Sequence, residues 1–209
     1  MKRFDIITEA DARVLDVGST VELAAAGIVT PLAQDTLRAR RIEVVRAGAT
    51  VESDSLAPVA DIRIVTLGSD HTGVRLKQHL RQLLRARGLA VHDVGTDGTD
   101  PVDYPDIAAA VARPVARGEA HAGIVIDGAG LGSAIAATKI DGIRAAMCVN
   151  ATLARYARQH NGANVLAIGS TLLTDAEAEE IVTTFLATPM REARYVRRLA
   201  KVRDLELRG

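Results

Sequence analysis

From residue 61 the chain alternates short apolar runs with longer amphipathic stretches, and few folds satisfy that rhythm. Runs at 62–67, 90–94, 123–126, 144–148 and 165–168 read as strands. Stretches at 74–87, 104–117, 131–139, 151–160, 175–187 and 192–205 read as helices. Strands that are apolar on both faces cannot lie against water, so helices must cover both sides of their sheet. Helical connections in turn make neighbouring strands parallel, with right-handed crossovers. The expectation for 61–209 is an α/β domain with an open, doubly wound, Rossmann-like parallel sheet of five strands. Ligands then belong at the carboxyl ends of the strands.

Residues 1–60 do not share this rhythm. Positions 8–15 read as a helix capped by Thr8 with an acidic first turn. Positions 31–41 read as a second helix that begins with Pro31 after Thr30. The small and polar residues of 47–55 read as a linker. The expectation is a small helical extension and linker over 1–60.

Charge and composition exclude several classes. Lys and Arg total 26 and so do Asp and Glu, so no global field favours nucleic acid or an anionic membrane. Two Phe, three Tyr and no Trp argue against stacking platforms for single-stranded nucleic acid. The lone Cys148 excludes an internal disulfide or thiolate zinc cluster and fits a reducing compartment. No basic-then-apolar leader opens the sequence and no uncharged run of membrane-spanning length occurs. A cytoplasmic protein is expected.

Four segments can carry chemistry. Gly68-Ser-Asp70-His71-Thr-Gly73 ends the first strand, where an Asp-His pair can orient hydroxyls or handle protons. The blander role is a helix cap by Asp70 beside an exposed His71. Asp127-Gly128-Ala-Gly130-Leu-Gly132-Ser133 ends the third strand and leads into a helix. Its glycines let backbone N–H groups approach a phosphate or an enediolate, helped by the helix N-terminus. It lacks the Lys-Ser/Thr ending of a nucleotide loop and the spacing of a dinucleotide fingerprint. His160-Asn161 closes a helix, where His160 can act on a ring oxygen or simply cap the terminus. Arg194 and Arg198 stand four apart on one helix face and can grip a phosphate, or lie solvated.

The order and spacing of Asp70-His71, Val102-Asp-Tyr104-Pro105, the 128–132 loop with Ala136-Ala-Thr-Lys139, Gly142-Ile-Arg144, His160-Asn161 and the terminal arginines resemble the ribose-5-phosphate isomerase B family. That family also contains the galactose-6-phosphate isomerase subunits, and the resemblance spans 61–205. It implies aldose–ketose isomerisation of a phosphorylated sugar through an enediolate, with no metal and no organic cofactor. By the same resemblance His160 and Asp70 assist ring opening, and His71, Arg194 and Arg198 hold phosphate. Asn161 binds substrate oxygens, Tyr104 lines the pocket, and the amides of Gly128, Gly130 and Gly132 hold the oxyanion beside Ser133. Members are dimers or tetramers with shared sites, so a homodimer or homotetramer is expected.

Departures from the family pattern fall on the same site. The usual catalytic cysteine is Asp127, the glutamate of a second lineage is Ser133, the loop threonine is Ala129, and a phosphate-binding arginine is Thr171. Asp127 is the candidate base, since carboxylates serve enolising isomerases. A helix N-terminus favours its charge while burial opposes it. The other reading is a non-catalytic phosphosugar-binding or structural subunit of a heteromeric isomerase. Finally, Ile7-Thr-Glu-Ala-Asp-Ala and Gly27-Ile-Val-Thr-Pro-Leu-Ala-Gln-Asp-Thr-Leu-Arg resemble N-terminal segments of enzymes packaged in bacterial microcompartments. That likeness implies a shell or cargo partner for residues 1–55 and a place inside such a compartment; the other reading is a small helical appendage that packs on its own domain or on a neighbouring subunit.

Overall fold

The computed structural model describes residues 2–46 and 56–206, and the chain divides into two compact units, Met1–Asp54 and Ser55–Gly209. The first unit runs β1 (Arg3–Ile7), α1 (Glu9–Val14), β2 (Thr20–Val29), α2 (Pro31–Ala39) and β3 (Glu43–Arg46). Its strands form a parallel sheet in the order β1-β2-β3. Both expected helices are present. Thr8 and Asp11 form a capping box on α1, and the Thr30 hydroxyl accepts the Ala33 N–H at 3.4 Å ahead of Pro31 on α2. The helical extension is nevertheless a correction, because the unit is α/β. Ile7, Leu15, Val21, Leu23, Leu37 and Ile42 share a buried core that two short helices could not build alone. The linker at 47–55 lies outside the described residues.

The second unit continues with β4 (Ile64–Ser69), α3 (Val74–Ala86), β5 (Ala90–Asp93), α4 (Tyr104–Ala116), β6 (Ala122–Asp127) and α5 (Leu131–Thr138). It ends with β7 (Ala145–Met147), α6 (Ala151–Asn161), β8 (Val165–Gly169), α7 (Asp175–Ala187) and α8 (Ala193–Glu206). The strands form one parallel sheet in the order β5-β4-β6-β8-β7. This is the expected doubly wound sheet, with helices packed on each face. Ile124 and Ile126 turn to one face, against Leu80, Leu84 and Phe185. Val125 turns to the other, among Val111, Val115 and Ala137. Period-two alternation thus feeds two cores at once, which is why the strands read as unbroken apolar runs.

A buried ammonium braces this frame. Lys77 has no exposed surface, and its Nζ donates to Asp93 Oδ1 at 2.7 Å, Asp97 Oδ1 at 2.8 Å and the Gly95 carbonyl at 3.3 Å. Gly95 lies so close to the end of β4 that a Cβ there would sit 2.2 Å from the Ser69 nitrogen. Lys77 therefore ties the chain after β5 to the strand end that carries Asp70. The ammonium in turn holds the Asp97 carboxyl below its ordinary range.

Candidate active site

The carboxyl edge of the sheet collects the first group of site residues. Asp70 follows β4, and its N–H donates to the Ile126 carbonyl of β6 at 3.0 Å. Its Oδ1 accepts the Thr72 N–H at 2.9 Å and the Thr72 hydroxyl at 2.6 Å. Asp70 is therefore no helix cap; the cap of α3 is Gly73, and Asp70 closes the turn before it. Asp70 is 6% exposed, yet its Oδ2 meets no donor among the described residues and is not enclosed. His71 accepts the Val102 N–H through Nδ1 at 3.3 Å. In the neutral ring that places the proton on Nε2, which is left to donate.

Asp127 ends β6, paired in register with Gly169, one step beyond the Ile126–Ser69 pair. Its Oδ1 accepts the N–H groups of Ala129, at 2.8 Å, and Gly130. Its Oδ2 accepts the Ser133 N–H at 3.0 Å and the Ser133 hydroxyl. Both residues are buried. A carboxylate has about four in-plane acceptor sites. All four are taken by the loop that follows and the first turn of α5, so Asp127 could accept a carbon-bound proton only by releasing one of these donors.

The same contacts decide which amides remain for a ligand. Of the orphan N–H groups opening α5, those of Gly130 and Ser133 serve Asp127. The amides of Leu131 and Gly132 have no acceptor among the described residues and lie at a helix N-terminus that favours negative charge. Gly130 takes φ +79°, and a Cβ there would press on the backbone of Ile168 and Gly169 at 3.0–3.1 Å. A Cβ on Gly132 would strike the Tyr104 ring at 2.6 Å, so that ring lies directly against the start of α5. The Thr171 hydroxyl donates to the Gly128 carbonyl at 2.6 Å, so the residue in place of the family's arginine buttresses the loop.

The second group lies elsewhere. Helix α6 runs back along the sheet, so His160 and Asn161 precede the first residue of β8. The strand between the two levels, Val165 to Gly169, spans four steps, about 13 Å. His160 is stacked between Tyr156 and Tyr195, with centroids 4.7 and 4.5 Å away. It lines a cavity of about 500 Å³ with Arg144, Asn161, Tyr195 and Arg198. Arg198 lies over the Tyr195 ring at 5.6 Å. Arg194 lies over the same ring at 4.7 Å, bonds its hydroxyl at 2.9 Å and pairs with Glu192 at 2.6 Å. One chain therefore brings Asp70, His71, Tyr104, Asp127, the glycines and Ser133 to one edge. It brings His160, Asn161, Arg194 and Arg198 to the other.

Several functional neighbours escape a sequence reading. Thr72 sits in the Asp-His motif and Tyr195 between the arginines, so proximity in the chain was their only signal. Arg144 stood in the Gly142-Ile-Arg144 motif without an assigned role, and Tyr156 gave no signal. Arg158, fully buried, donates to the carbonyls of Ala163 and Val59 at 2.9 and 2.8 Å, and burial lowers its guanidinium to about 10. Cys148 is buried as well, and burial raises its thiol to about 11, so it supplies no thiolate near neutrality. Among the described residues no group of His, Cys, Asp or Glu is arranged to hold a metal, and no helix is long and apolar enough to cross a membrane.

Comparison with known proteins converges on the second unit. A family model described as ribose/galactose isomerase matches residues 65–202. Ribose-5-phosphate isomerase B of Escherichia coli is 40% identical over 144 residues, covering 69% of this chain and 97% of that protein. The solved structure of the Clostridium thermocellum ribose-5-phosphate isomerase B is 43% identical, with a TM-score of 0.68 over 69% of this chain and 98% of that one. The Mycoplasma genitalium enzyme, solved with bound ribulose-5-phosphate, is 36% identical with a TM-score of 0.67, covering 70% and 97%.

Proposed function

The chain belongs to the ribose/galactose isomerase family, and we propose that it interconverts a phosphorylated aldose and its ketose in a site completed by two copies of the chain. The observation that carries this reading is the division of the site residues between opposite edges of one sheet. Proton-handling groups and free amides stand at the carboxyl edge, and the cationic, imidazole-lined cavity stands at the other. Neither edge suffices alone. Exposed apolar side chains give a second copy something to bury, with Leu131 and Ile135 on α5 and Leu153 and Tyr156 on α6.

In this reading ribose 5-phosphate and ribulose 5-phosphate are the leading substrate pair, as the names of the relatives suggest. His160 of one copy assists ring opening, and Arg194 and Arg198 neutralise the phosphate with the Nε2–H of the other copy's His71. The oxyanion formed at the former carbonyl lies against the Leu131 and Gly132 amides, where the helix N-terminus stabilises it. The non-catalytic alternative is not favoured, because the Asp70, His71 and His160 machinery is present and the relatives are isomerases. We also assign residues 1–55 to assembly, with a microcompartment shell or cargo as partner class. The motif likeness and the exposed, cross-strand Ile6 and Ile28 support that assignment.

Subunit complementation tests the shared site. Asp70→Asn damages one edge and Arg198→Ala the other, so each homo-oligomer should be crippled. Co-assembled, the two variants create one intact site per mixed pair, and ribose 5-phosphate turnover should return. A monomer that turns over, or mixed assemblies as inactive as their parents, refutes the shared site. A wild-type protein inert towards pentose, hexose and tetrose phosphates refutes the isomerase reading.

A further inference from the structure

We infer that Asp70 is the carboxylate that moves the carbon-bound proton and that Asp127, at the expected base position, is a positioning residue for the oxyanion loop. The inference rests on the isomerase reading above. The two carboxylates stand at the ends of adjacent strands, each one step beyond the Ser69–Ile126 pair, and they differ in what their oxygens do. Asp127 takes four donors and has no acceptor site left. Asp70 takes two, both on Oδ1 and both from Thr72, which fixes the carboxyl plane and leaves Oδ2 without a partner. Asp70 is largely buried, but this oxygen is not enclosed, so an open-chain substrate can bring a carbon-bound proton to it.

The step balances within the site. Asp70 Oδ2 takes the proton from C2 of the open-chain aldose, and the C–H electron pair forms the C1–C2 double bond. The carbonyl π pair moves to O1, where the Leu131 and Gly132 amides receive it. A proton passes from the C2 hydroxyl to O1, and the Asp70 carboxylic acid returns its proton to C1. The ketose leaves with Asp70 ionised again. Asp127 contributes by holding Ala129, Gly130 and Ser133, so that the two remaining amides face one point.

Asp70→Asn is a discriminating variant, because an amide oxygen can still accept both Thr72 donors while the opposite atom can no longer take a proton. Exchange of the C2 hydrogen of ribose 5-phosphate with solvent deuterium, read by NMR, should fall about 100- to 10,000-fold. Affinity for the phosphosugar, read by calorimetry, should stay within a few-fold. Formate should restore exchange to Asp70→Gly and leave Asp127→Gly unrescued, a split that a merely structural role for Asp70 would not produce. Exchange by Asp70→Asn at near wild-type rate overturns the inference, and so does formate rescue of Asp127→Gly alone. Absence of exchange in the wild type is a distinct result, which removes the isomerase reading and this inference together.

Discussion

Replacing Asp127 by Asn should destabilise the second unit even though the side chain keeps its shape. The amide has one acceptor oxygen where the carboxylate has two. With that oxygen at the Oδ1 position it still accepts the Ala129 and Gly130 amides, and the NH₂ group then faces Ser133. The Ser133 hydroxyl can rotate to accept, but its buried N–H has no partner, which costs about 1–3 kcal/mol. The two surviving amide bonds lose their charge assistance, about 1 kcal/mol each. The reverse orientation leaves two amides facing a donor and is worse. The sum is roughly 3–5 kcal/mol, or about 6–20 °C in Tm for a chain of this size. Differential scanning calorimetry of the full chain measures it, following the transition absent from a protein truncated to residues 1–54. A shift below about 1 °C would mean that Asp127 is not held as described, and the argument against it as base would fall too.

Other perturbations follow from the same geometry. Arg198→Ala should cost about 10- to 100-fold in kcat/KM, mostly through KM, as one charge-assisted phosphate contact is lost; unchanged kinetics would remove it from the phosphate site. Lys77→Met should destabilise by about 3 kcal/mol, because Asp93 loses its buried partner while keeping Arg81. Lys77 lowers the Asp97 carboxyl, so that contact stabilises fully above the unfolded-state value of 3.8 and is lost as pH falls through the lower folded value. The Tm gap between wild type and Lys77→Met should therefore narrow in acid, and a constant gap would contradict the pairing. Native Cys148, with its thiol raised to about 11, should resist iodoacetamide at pH 8 and react only after denaturation. Deleting residues 1–55 should leave a folded second unit with its sheet intact, and an insoluble product would make the extension part of that core.

The second unit was legible because its strands are buried on both faces. Gly-Ile-Val-Ile at 123–126 has no polar residue to confuse with a helix stripe, and Gly123 is tolerated because Val111 and Val165 fill the space beside it. The first unit was not. Its strand β2 carries Ala24, Ala25, Ala26 and Gly27 at its centre, residues with weak strand preference, and only nonlocal pairing with β1 and β3 makes it extended. Gly27 has a reason to be small, since a Cβ there would lie 2.8 Å from the Asp5 carbonyl oxygen on β1. No local pattern announces a contact of that kind.

The site residues were legible one by one, but their grouping was not. Chain order places His160 among the catalytic candidates, whereas the direction of α6 decides that it sits at the far edge from Asp127. The use of Asp127 was hidden for a different reason. A thiol is a weak acceptor with no claim on four donors, so putting a carboxylate at this position redirects amides that a cysteine would leave available. Ser133 then becomes intelligible. A glutamate at 133 would set a second negative charge against the buried Asp127 carboxylate, and desolvation would make that costly. Serine supplies two donors instead, its N–H and its hydroxyl, and closes the acceptor set. Asp127 and Ser133 thus read as one substitution made at two positions. It removes the thiol and the glutamate together, and of the two strand-end carboxylates it leaves Asp70 as the one with an oxygen to spare.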